Sequence, residues 1–149
     1  WWDIRPHHNF GTVEIRVCDM PANLEQVLSL TAFVQCMVKC ISDEIDEGAY
    51  QLQHHPMMVQ QNKWRATRYG IDASLVNSEN YKLFSVIDTT KQLVDLVAPM
   101  SERLECTDEL NRICDLVHKS GAKRQLEIME ATGDRREVVK QMIEENSGF

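Results

Sequence analysis

Arg5 and His7, followed by Glu14 and Arg16, are the residues of this chain best placed by type and spacing to do chemistry. Side chains two apart on an extended strand point to the same side, roughly 7 Å from one another. Glu14 and Arg16 therefore share one face. Two readings of that face are open from the residues alone. The acid and the base can pair with each other. Alternatively, Glu14 offers oxygen to a hard divalent cation, and the rigid two-pronged guanidinium of Arg16 neutralises a phosphate or carboxylate. Arg5 and His7 add a cation and a hydrogen-bonding ring to the same face, and Asp3 and Asp19 flank it, placed to orient the arginines, with Asp19 alternatively placed to cap the turn into Met20-Pro21. A second basic group is Lys63, Arg65 and Arg68. Arg65 and Arg68 are three apart and share a face if the segment is helical, either as solvated surface or as a contact for a phosphate or carboxylate. Asn62 beside them suits a cap or a ligand contact.

These groups need elements to hold them. Residues 1–7 alternate, with Trp1, Asp3, Arg5 and His7 on one face and Trp2 and Ile4 on the other. His8-Asn9-Phe10-Gly11 is a turn cluster. Residues 12–19 alternate again, Val13, Ile15 and Val17 opposite Thr12, Glu14, Arg16 and Cys18, which predicts a hairpin with one apolar and one charged face. Asn23 caps a long helix, with Gln26 as its capping-box partner, and the apolar spacing runs from Leu24 to Ile41 before the acidic stretch 43–47. A second helix is expected from Pro56 to Gly70, with loop and a short strand near 81–84 beyond it. Further helices are expected over about 86–98, from Thr107 to about Lys119, over 122–131, and from Asp134 to about Asn146. His54 and His55 precede Pro56 in a turn, where surface or cap roles suit them better than metal binding. The fold class expected is α+β: an antiparallel hairpin (1–19) followed by a mainly helical region (20–149).

Composition narrows the function classes. A net charge of −7 disfavours sequence-independent binding to nucleic acid. No apolar run is read as a bilayer span and no signal peptide is seen, so no membrane partner is expected. The five cysteines form no Cys-x-x-Cys pair; Cys36 and Cys40 fall on one helix face without a histidine to complete a metal set, and reduced thiols of a cytoplasmic protein are the expectation. The chain opens on Trp1 and Trp2 instead of Met, as expected of a piece trimmed from a longer protein.

The residues that carry these patterns also resemble a family. Trp-Trp-Asp-Ile-Arg-Pro-His (1–7) followed by Phe-Gly-Thr-Val-Glu-Ile-Arg-Val-Cys-Asp (10–19) is similar to the signature of the glutamate–cysteine ligase type 2 family of carboxylate–amine ligases. Residues 62–73, Asn-Lys-Trp-Arg-Ala-Thr-Arg-Tyr-Gly-Ile-Asp-Ala, resemble a second block, and residues 121–126 resemble a third. The three stand in the family's order over nearly the whole chain. His8 departs from the proline common there, in a turn where little depends on it.

The resemblance implies a fold like that of glutamine synthetase and the guanidino kinases, in which the charged face of an antiparallel sheet holds ATP, metal and the acid substrate. This chain would be the C-terminal portion of a single catalytic domain. The N-terminal part, with further strands and carboxylates, would be its partner; a homo-oligomer is compatible. Carried over by motif, Glu14 is the metal ligand and Arg16 lies near the transferred phosphate. Arg5 stands with Arg16 as catalytic, and His7, Lys63, Arg65 and Arg68 are candidates for ATP and substrate binding. The cofactors implied are ATP and Mg²⁺ (or Mn²⁺), and the substrates are amino acids joined through an acyl phosphate. The alternatives are a non-catalytic scaffold or binding module derived from this fold, and an independent helical interaction domain.

Overall fold

The computed structural model describes residues 3–48, 55–118 and 120–147. The expectations placed on Trp1, Trp2, His54 and the helix end at Lys119 lie outside these residues. The architecture is α+β: two small antiparallel sheets and seven α-helices among the described residues.

Strands β1 (Ile4–His7) and β2 (Thr12–Ile15) form the predicted hairpin, paired Ile4 to Ile15 and His7 to Thr12. Gly11 supplies the left-handed conformation that the turn requires, with φ of 61°. The alternating pattern continues to residue 19, but the ladder stops earlier. Its last bond runs from the Arg16 amide to the Asp3 carbonyl (2.7 Å), after which the chain bends.

Helix α1 (Leu24–Asp46) starts where the cap signal lies: the Asn23 side chain accepts from the Gln26 amide at 3.0 Å. Gln26 reaches back to the Ala22 amide, one residue before the expected partner. Ser29, Ala32 and Cys36 form its buried stripe, at the 3–4 spacing of one helix face. They pack against α3 (Val86–Arg103), α4 (Thr107–Asn111) and α5 (Ile113–Val117), where Val94, Val97, Leu110 and Ile113 complete the core. By length and composition α1 is also apolar enough to cross a membrane, which corrects the expectation that no run reaches that length. Its inner face is nevertheless committed to the protein core.

Helix α3 continues past the expected end near residue 98, through Pro99, to Arg103. Ser101 is fully buried and donates to the Ala98 carbonyl at 2.8 Å, which satisfies a polar group that has no access to water. Glu105 then adopts a left-handed conformation (φ 55°), and the Cys106 amide bonds back to the Ser101 carbonyl at 3.0 Å, a Schellman-type stop made without glycine. The helix expected from Thr107 is broken at Arg112 into α4 and α5. Helix α2 (Pro56–Tyr69) begins at its proline, with His55 accepting from the Met57 amide as cap. Strands β3 (Ser74–Val76) and β4 (Leu83–Ser85) make a second hairpin where loop and one short strand were expected. Helices α6 (Gly121–Thr132) and α7 (Arg135–Asn146) close the chain as a pair tied by Arg124 and Glu145 at 2.9 Å.

Candidate active site

The hairpin register decides which polar groups meet. Arg5 lies directly opposite Glu14, and Asp3 faces Arg16 across the last ladder bond. Asp3, Arg5 and His7 therefore share one face with Thr12, Glu14 and Arg16. Ile4, Pro6, Val13 and Ile15 occupy the other.

On the charged face Glu14 sits between two guanidinium groups: Arg5 Nη2 is 2.6 Å from one carboxylate oxygen, and Arg16 Nε is 3.6 Å from the other. The pairing expected from spacing alone is thus present. It does not fix the face in that state, because the three side chains are between 36% and 51% exposed. Ion pairs in such surroundings contribute about 0–1 kcal/mol, so an incoming anion or cation displaces them at small cost. Three basic groups, counting Lys63, stand against two acidic ones here, leaving the face with a small positive balance.

Lys63 joins the face from α2. Its ammonium lies 2.7 Å from both oxygens of Asp3, sixty residues away in sequence. The rest of the second basic group is dispersed. Arg65 is half-buried against β3 and donates from Nη1 to the Ser74 carbonyl at 3.2 Å. Arg68 is exposed in the last turn of α2, where a cation complements the helix dipole. Of the three, only Lys63 is bonded to the hairpin. Asn62 is a clamp: its amide accepts from the Val76 amide at 2.7 Å and donates to the Val76 carbonyl at 2.8 Å. His7 packs its ring 4.6 Å from that of Phe10, and its Nδ1 is buried without a hydrogen-bond partner among the described residues.

The residues fit a divalent cation only in part. Glu14 can supply one carboxylate, but no group of three or more His, Cys, Asp or Glu side chains among the described residues could hold a metal. Mg²⁺ typically takes one or two carboxylates and completes its shell with water and substrate phosphates. Glu14 alone offers one carboxylate of that kind on this face.

Sequence reasoning did not find the Asp3–Lys63 link, because nothing local ties residue 3 to residue 63. The Cys36–Cys106 contact, Sγ to Sγ 3.6 Å, was equally invisible. Burial pushes the Cys36 thiol up to about 11, helped by the hydrogen bond and charge of Cys106. All five cysteines are free. Arg124 and Gln125 line a groove with residues 19–22 and α7.

The model of glutamate-cysteine ligase family 2 matches residues 1–145. The chain belongs to that family. Among its family-2 relatives, proteins named "Putative glutamate--cysteine ligase 2-1" from Frankia alni and Frankia casuarinae are 37% and 40% identical over 99% of this chain. A protein of the same name from Rubrobacter xylanophilus is 37% identical over 97% of it. The chain spans about two-fifths of the length of these family-2 relatives, 40%, 40% and 38% respectively.

Proposed function

We propose that this chain supplies one wall of the active site of an ATP-dependent carboxylate–amine ligase, with the β1–β2 charged face against the phosphates. The observation that carries the reading is the cross-strand set Arg5–Glu14–Arg16, solvent-accessible though self-paired, on a family member whose relatives bear a ligase name. In this reading the substrate carboxylate attacks the γ-phosphorus of ATP, giving an acyl phosphate and ADP. The amine then attacks the acyl carbon, and phosphate leaves. Phosphoryl transfer asks mainly for placement and charge stabilisation.

Arg16 and Arg5 offer those charges, Glu14 contributes one ligand to Mg²⁺ or Mn²⁺, and His7 and Lys63 hold substrate or ATP at the rim. The metal, when bound, offsets charge on the phosphate oxygens. Arg68, exposed and without a carboxylate partner among the described residues, is available to a ligand anion, whereas Arg65 acts through β3. The working protein is the family-length polypeptide with a glutamine synthetase-like sheet, in the cytoplasm, where free thiols persist. Glutamate and cysteine are the substrates that the relatives' names put forward.

Mass spectrometry of the family-length protein incubated with ATP, Mg²⁺, glutamate and cysteine tests this. The expected result is amide and ADP in equal amounts, dependent on both amino acids. ADP release without an amide product, under a panel of acids and amines, would overturn the ligase reading.

A further inference from the structure

Helix α1 has two apolar faces, and among the described residues only the inner one is fully buried. Its inner stripe is Ser29, Ala32 and Cys36. On the opposite side Leu24, Val27, Thr31, Val34, Val38, Ile41 and Ile45 follow one another at alternating spacings of three and four, the pattern of a continuous helical seam. No charged residue interrupts it. Leu24, Val38 and Ile45 are 53%, 52% and 60% exposed.

This surface is part of a larger surplus. The chain exposes 11337 Å². A compact monomer of 17.2 kDa exposes about 7,800 Å², so roughly 3,500 Å² is in excess. The apolar side of the hairpin is likewise uncovered, with Ile4 and Val13 each 55% exposed.

We propose that the outer face of α1 is the packing seam for the three-fifths of the family-length polypeptide that lies outside this chain. Two observations select this occupant over a second copy. The seam is about 30 Å long and one helix wide, a few hundred Å², short of the roughly 800 Å² per partner that a stable association of separate chains requires. The relatives, by contrast, carry more than half their length beyond the matched region. A covalently attached partner meets the seam at high effective concentration, so a modest area suffices. The inference rests on the reading that the working protein is the longer polypeptide; it does not depend on which reaction that protein performs.

The test is thiol footprinting of Val38→Cys in a Cys18→Ser background, since Cys18 is the exposed native thiol. Maleimide labelling at position 38, located by tandem mass spectrometry, is timed in the 149-residue chain and in the family-length protein, each relative to its urea-unfolded rate. The expected result is rapid labelling of the short chain at every concentration and labelling at least tenfold slower in the long protein. Equal rates in the two would overturn the proposal. So would protection of the short chain that grows with its concentration, which assigns the seam to a second copy, or that appears only with phospholipid vesicles, which assigns it to a membrane. Ligase turnover, assayed in parallel, reads the function separately: protection without turnover leaves the seam standing and the reaction refuted.

Discussion

Replacing Asn62 by alanine removes two hydrogen bonds in one step and asks whether the residue is structural. Its amide holds both the N–H and the C=O of Val76, at 2.7 and 2.8 Å, in a half-buried position between α2 and β3. Each bond contributes about 0.5–1.5 kcal/mol net, and leaving both backbone groups unpaired puts the sum near 2 kcal/mol. For a chain of this size that corresponds to a melting temperature lower by roughly 4–8 °C. Asn62→Asp is the informative companion. It keeps an acceptor for the Val76 amide but sets a carboxylate against the Val76 carbonyl, so it should lose at least half as much. Urea unfolding followed by far-UV circular dichroism measures both, with the midpoint shifted and the slope unchanged. If Asn62→Ala unfolds within about 0.5 kcal/mol of the parent, the clamp is not holding β3 and the residue's place in the 62–73 block needs a ligand to explain it.

Three further outcomes follow from the packing and the site. Leu110→Ala, at a side chain 1% exposed in the centre of the core, should cost about 2–5 kcal/mol in the same unfolding assay. The Cys36 thiol, raised from about 9 to about 11, favours the folded state below pH 9, where both states hold the proton; above it the unfolded state ionises first, so stability falls between pH 9 and 11. Urea midpoints across that range should fall more steeply for the parent than for Cys36→Ala. Arg16→Lys keeps the charge and loses the planar fork, so ligase kcat/KM of the family-length protein should drop by about 10²–10³, while a kcat/KM equal to the parent's would return Arg16 to a purely structural pair with Glu14.

Much of this was legible where short-range periodicity carries the information. The hairpin, its charged face and the start of α1 at Asn23 depend on alternation and capping within a few residues, and the structure has them. The chemistry of the second block was less legible. Arg65 and Arg68 share a helical spacing, yet the arrival of β3 beside α2 turns Arg65 inward to Ser74 and leaves Arg68 outside. That arrangement depends on a hairpin at 74–85 whose strands are three residues long, too short to give a periodic signal. The end of α3 was misplaced for a different reason. Pro99 reads as a stop, but the helix tolerates it and ends at a left-handed glutamate, Glu105, where a glycine would have been the visible signal. Alternation separated the apolar side of the hairpin from the charged one, but it carries no information on burial, and Ile4 and Val13 are more than half exposed.

The central claim is that the β1–β2 face handles metal-bound phosphate, and a metal titration of Glu14→Gln tests it most directly. The substitution preserves size and removes the carboxylate charge, so the hairpin should stay folded while one metal ligand is lost. ADP release by the family-length protein is measured against Mg²⁺ and Mn²⁺ concentration, for parent and variant, at saturating ATP and substrates. The expected result is a rate at least about 10²-fold lower for Glu14→Gln, with half-saturation moved to higher metal concentration. An unchanged rate and an unchanged metal titration would contradict the assignment of this face to phosphoryl transfer.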